Sequence, residues 1–65
     1  MQIILNGELR EVRATRLVDL MDELGFAGAR VATAVNESFV AAGDRAGVTL
    51  SGGDRLEVVA PMQGG

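Results

Sequence analysis

The sequence predicts an α+β fold: a mixed sheet of four or five strands with one main helix packed on one face. Three stretches carry that expectation. Asn6-Gly7 separates two short strand-like runs, and this dipeptide favours a tight hairpin turn. Leu17, Leu20, Met21 and Leu24 fall at i, i+3, i+4 and i+7, the single apolar stripe of a helix. Residues 55–60 alternate cleanly, with Leu56, Val58 and Ala60 on one side and Arg55, Glu57 and Val59 on the other.

The first strand is the apolar run Gln2-Ile3-Ile4-Leu5. A type I′ turn needs positive φ at both central residues, which Asn and Gly accept. The turn sets the register: Leu5 opposite Glu8, Ile4 opposite Leu9, Ile3 opposite Arg10. The second strand runs from Glu8 to Val12. One face then carries Ile4 and Leu9. The other carries Met1, Ile3, Leu5 and Val12, together with Glu8 and Arg10. Poor alternation marks the second strand as a sheet edge.

The helical stripe follows, with Thr15 expected as the N-cap. Gly25 stands where a helix-ending glycine belongs, and Phe26 is placed for the accompanying apolar contact. The stripe reads as core packing, and Asp19, Asp22 and Glu23 as a solvated face. A connector, Ala27-Gly28-Ala29-Arg30, leads to the strand Val31-Ala32-Thr33-Ala34-Val35. That strand is apolar on both sides and so belongs inside the sheet. Asn36-Glu37 turns the chain into Ser38-Phe39-Val40, although Glu is a poor residue for that turn position. Residues 41–47 read as an irregular loop with room for one helical turn. Leu50 precedes the turn cluster Ser51-Gly52-Gly53-Asp54. Pro61 ends the last strand, since it has no N–H for the ladder. A right-handed crossover places that strand parallel to the first. One helix covers one sheet face. The other stays open, with Ile4, Leu9 and Val59 outward as a candidate docking patch, or as sheet stiffening alone.

Composition narrows the chemistry. Sixty-five residues make one small domain, and the 48 % hydrophobic content argues against disorder. Without Cys or His, an iron–sulfur cluster is excluded on ligand grounds and a zinc site is disfavoured. Tyr and Lys are also missing, so the inventory of nucleophiles and bases argues against an enzyme with its own chemistry. A net charge of −3, from six Arg against nine acidic residues, disfavours nucleic acid and favours a basic partner surface. No apolar run reaches membrane-spanning length and no secretory signal is visible, so the expected location is the cytoplasm, away from membranes.

The stretch Ala60-Pro61-Met62-Gln63-Gly64-Gly65 gives the composition a use. The expected division is a folded domain over residues 1–60 and a flexible arm over residues 61–65. Two glycines keep the arm slim, and its last group is a carboxylate.

In these features the chain resembles the ubiquitin-like β-grasp sulfur carriers, most closely the ThiS family of thiamine-thiazole biosynthesis. The resemblance rests on Ile3-Ile4-Leu5-Asn6-Gly7-Glu8, the helix from Leu17 to Gly25, and Val31-Ala32-Thr33-Ala34-Val35-Asn36 followed by Val40. Gly53-Asp54-Arg55-Leu56-Glu57-Val58 and the closing Gln63-Gly64-Gly65 complete it. The chain departs from the family pattern at Thr15, which stands one place early, and at Glu37, where Gly is usual. Ala41-Ala42-Gly43 replaces a polar, proline-containing stretch, and no Trp follows it.

The resemblance implies a function centred on Gly65. An E1-like adenylyltransferase (ThiF-like) would join its carboxylate to AMP, using ATP. Sulfur from a donor such as a cysteine desulfurase would replace AMP, and the resulting thiocarboxylate would pass its sulfur to thiazole synthase (ThiG-like). No cofactor is expected on the carrier itself. Gly64, Gln63 and Met62 would thread the partner's channel, with Met62 adaptable enough for two partners. The alternatives are a MoaD-like carrier for molybdopterin or another metabolite, a ubiquitin-like protein modifier, and a plain interaction domain.

Overall fold

The computed structural model of the 65-residue chain describes residues 1–60. Its elements are β1 (Gln2–Leu5), β2 (Glu8–Glu11), α1 (Leu17–Glu23), β3 (Ala32–Val35), β4 (Ser38–Val40) and β5 (Arg55–Val59). A 3₁₀ segment, Ala42–Gly47, lies between β4 and β5. The strands form one sheet in the order β2-β1-β5-β3-β4, so the last strand is the central one. It runs parallel to β1, as expected, and antiparallel to β3.

Both hairpins turn on an asparagine. Asn6 (φ 49°) and Gly7 (φ 85°) make the first turn, with the predicted register of Leu5 to Glu8, Ile4 to Leu9 and Ile3 to Arg10. Asn36 (φ 49°) and Glu37 (φ 72°) make the second, which sets Val35 opposite Ser38 and Thr33 opposite Val40. Glu37 thus holds a left-handed conformation that crowds its Cβ. The Asn36 carboxamide is tied down at the start of β5. Its Oδ1 accepts the Arg55 N–H at 2.9 Å and its Nδ2 donates to Asp54 Oδ1 at 3.1 Å. Asp54 also accepts the Ser51 N–H at 2.7 Å. The Ser51 bond foremost, then the Asn36 bond, holds the Asp54 carboxyl below its ordinary value.

The core lies between one sheet face and α1. Ile3, Leu5, Leu56 and Val58 come from the sheet, and Leu17, Leu20 and Met21 from the helix; Val12, Val40 and Leu50 close the margins. Thr33 is the one buried polar side chain among the described residues. Its hydroxyl donates to the Val40 carbonyl at 2.7 Å and accepts from Arg45 Nε at 3.2 Å. Arg45 Nη2 donates to the Val31 carbonyl at 2.7 Å, so this one side chain fastens the 3₁₀ segment to β3 and its approach.

The helix ends as predicted and begins differently. Gly25 (φ 87°) follows the C-cap Leu24. The Phe26 N–H reaches the Met21 carbonyl (2.8 Å) and the Gly25 N–H reaches that of Asp22 (3.1 Å), the two bonds of a Schellman motif. Thr15, however, does not cap the helix. The N-cap is Arg16, with no side-chain capping bond. Residues 15–17 lie against residues 48–50 instead. The Leu50 N–H donates to the Thr15 carbonyl and the Leu17 N–H to the Val48 carbonyl, both at 2.8 Å. The neighbouring chain therefore takes a donor that a cap side chain would otherwise satisfy.

Glu23 lies on the exposed face, as expected, but also makes a tertiary contact there. Its carboxylate accepts the Ala14 N–H at 2.8 Å and the Arg13 N–H at 3.0 Å. These bonds, Ala14 first, hold its carboxyl below the ordinary value. No helix among the described residues is long and apolar enough to cross a membrane.

Candidate functional site

The predicted threading and attachment residues Met62, Gln63, Gly64 and Gly65 lie outside the described residues, as does the division at residue 61. The structure describes the root from which they continue. β5 is the centre of the sheet, so the chain reaches Ala60 from the best-anchored strand rather than from an edge.

The face away from α1 is the open one. Ile4 and Leu9 stand opposite each other there, Ile4 half-buried and Leu9 63 % exposed. Val59 shares the face and is 58 % exposed, but sits at the far end of β5. Ile4 pairs with Arg55, and Val59 lies four residues beyond Arg55, about 13 Å along the strand. The three predicted patch residues therefore form two groups rather than one. Arg55 and Glu57 occupy the outward positions between them.

Phe39 is a further apolar residue on this face and escaped the sequence reading; it lies on β4, two strands from β5 and level with Glu57. At 72 % it is the most exposed of the large apolar side chains among the described residues. Register places it there: Glu57 pairs with Ala34, and Ala34 with Phe39. The available signal was the Asn36-Glu37 turn, because a two-residue turn sends Val40 to the core face with Thr33 and Phe39 to the other. On the Val59 side, Arg30, Val31, Ala32, Val59 and Ala60 line a shallow apolar depression at the exit of β5. An apolar surface rimmed by Arg30 is suited to taking a partner's side chains beside the departing chain. Among the described residues, no group of three or more acidic side chains is placed to hold a metal ion.

The exit of β5 is held from one side by an unexpected group. The Val58 N–H donates to Asn6 Oδ1 at 2.9 Å, and Asn6 Nδ2 donates to the Val58 carbonyl at 3.1 Å. The sequence shows Asn6 as a turn residue; the second role depends on β1 and β5 being neighbours.

The chain is 38 % identical over 66 residues to a thiazole synthase of Paramagnetospirillum magneticum. That match takes in all of this chain and 20 % of the relative, so the chain spans about a fifth of the length of that curated protein. Its fold matches the crystal structure of the thiamine biosynthesis protein ThiS from Geobacter metallireducens with a TM-score of 0.83. The two are 25 % identical, and the match covers the whole of both chains. The ThiS family model matches residues 3–65, from β1 to the terminal glycine, and the chain accordingly belongs to the ThiS family.

Proposed function

We propose that this chain is a sulfur carrier of thiamine biosynthesis, working through the carboxylate of Gly65. A carboxylate resists a sulfur nucleophile because oxide is a poor leaving group. An E1-like adenylyltransferase spends ATP to convert it to an acyl adenylate, releasing pyrophosphate. A donor persulfide then displaces AMP from the acyl carbon, a thiol reductant cleaves the resulting acyl disulfide, and the thiocarboxylate so formed supplies thiazole synthase. Residues 61–65 act as the arm that enters each partner's channel, Met62 and Gln63 at its mouth. Any side chain in place of Gly64 or Gly65 obstructs the passage.

The observation that carries this reading is the family match, which extends to Gly65. Two others support it. A protein named thiazole synthase contains a stretch similar to the whole of this chain, which fits a carrier that works beside that enzyme. The open face offers Val59 and the depression it helps to line at the root of the arm, where an enzyme accepting the arm would touch the body.

The test is the intact mass of the protein after incubation with an E1-like adenylyltransferase, ATP and a sulfur donor. Replacement of one oxygen by sulfur is expected. Deleting Gly65 should abolish that change and leave the melting temperature in place, because Gly has no side chain to pack and the ten core side chains among the described residues fall between Ile3 and Val58. A covalent adduct with another protein would mark a modifier instead. An unchanged mass, or sulfur loading without Gly65, overturns the proposal.

A further inference from the structure

The geometry points to Asn6 as a positioning residue for the C-terminal arm, acting through Val58; the inference rests on the carrier reading of Gly65. In a regular parallel ladder β1 would continue beside β5, and its next main-chain groups would take the N–H and carbonyl of Val58. β1 cannot continue, because Asn6 turns into the hairpin at φ 49°. Its main-chain N–H still serves the ladder, donating to the Leu56 carbonyl at 2.9 Å. Beyond that point its side chain replaces the missing backbone. The carboxamide carries a carbonyl and an NH2 on the same carbon, so like a peptide unit it can both accept and donate. Oδ1 takes the Val58 N–H and Nδ2 reaches the Val58 carbonyl, 52 residues away in sequence.

The consequence is local to the arm's root. Main-chain groups of successive β5 residues face alternate neighbours. Those of Leu56 and Val58 face β1, while those of Arg55 face β3 and its turn. On its other side Val58 stands opposite Thr33 of β3, but its N–H and carbonyl are turned to the β1 side. Three residues before the arm, the central strand is therefore held on that side by a single side chain. β3 pairs Val59 with Ala32 on the other side, so Asn6 and β3 together fix the direction in which residue 60 leaves the sheet, and with it where the root of the arm stands. An enzyme that binds the arm in one geometry gains from that restriction, since apparent affinity scales with the fraction of carrier already in the competent arrangement.

Asn6→Gly separates the two roles, because Gly-Gly accepts the type I′ turn while the carboxamide is lost. Asn36→Gly is its counterpart: it removes the carboxamide that holds Arg55, at the opposite end of β5. Two readouts are needed. Amide hydrogen exchange on the full chain should show the Val58 N–H exchanging about tenfold faster in Asn6→Gly, the loss of roughly one hydrogen bond. The helix amides of Leu20 and Leu24 should keep their protection and report an intact fold. In steady-state adenylation by the E1-like enzyme, Asn6→Gly should raise KM about fivefold to tenfold with kcat within about twofold, as a reduced competent fraction requires. Asn36→Gly should leave KM unchanged.

Equal KM increases in both variants would mean a general stability effect and overturn the inference, as would an unchanged KM in Asn6→Gly. Failure of the unmodified protein to be adenylated would remove the carrier reading itself. The exchange result would then show only whether the Val58 clamp exists.

Discussion

Glu37 stores strain that a single substitution should release. It sits at φ 72° in the second position of the β3–β4 turn, where Gly fits and a Cβ is crowded. Left-handed backbone costs an L-residue about 1–2 kcal/mol. Gly gives back part of this, because the freer unfolded chain costs about 0.4–1 kcal/mol to order. The side chain itself contributes little: its contact with Arg55 is 3.7 Å long, with both partners well exposed. Glu37→Gly should therefore stabilise the protein by about 0.5–1 kcal/mol, the difference between the strain and entropy terms. For a domain of this size that raises the melting temperature by about 2–8 °C. Calorimetry on the wild type, Glu37→Gly and Glu37→Ala checks the reasoning. Ala removes the Arg55 contact but keeps the Cβ, so it should not gain stability. A Glu37→Gly melting point at or below the wild type, or an Ala variant that gains as much as Gly, would refute strain as the cause.

Two further perturbations probe the polar ties. Thr33→Val keeps the shape of the buried side chain but removes both hydroxyl bonds, to the Val40 carbonyl and from Arg45. It should cost about 1–2 kcal/mol in urea unfolding; a variant as stable as the wild type would show that the Arg45 clasp holds without it. Glu23→Gln should destabilise at neutral pH and do so less in acid. The folded state lowers the Glu23 pKa, chiefly through the Ala14 N–H, so its contribution is present above the unfolded-state value and lost as pH falls through the folded-state value. The gap in melting temperature between wild type and Glu23→Gln should therefore narrow from neutral pH to about pH 3; a gap independent of pH would refute the charge-based account.

Local chemistry settled much of this fold without the tertiary structure. Asn6-Gly7 dictated a turn type and hence a register, because few dipeptides accept two positive φ values. The stripe from Leu17 to Leu24 dictated which side of the helix is buried, and Gly25 with Phe26 dictated how the helix ends. The Arg55–Val59 alternation sorted Leu56 and Val58 inward. The closing residues, through their likeness to a known family, pointed to the function proposed above; they offered no geometry. What stayed hidden depends on elements meeting from far apart in the chain. Thr15 lost its capping role because residues 48–50 lie beside it. Glu23, still exposed, accepts the Ala14 and Arg13 N–H groups. Ile4 and Leu9 were separated from Val59, and Phe39 was set on the same open face, by the strand order and register. Asn6 acquired Val58 only because β5 inserts beside β1. A sequence pattern reports the angular preferences and faces of single elements, whereas a hydrogen-bond partner 52 residues away exists only once the sheet has chosen its neighbours.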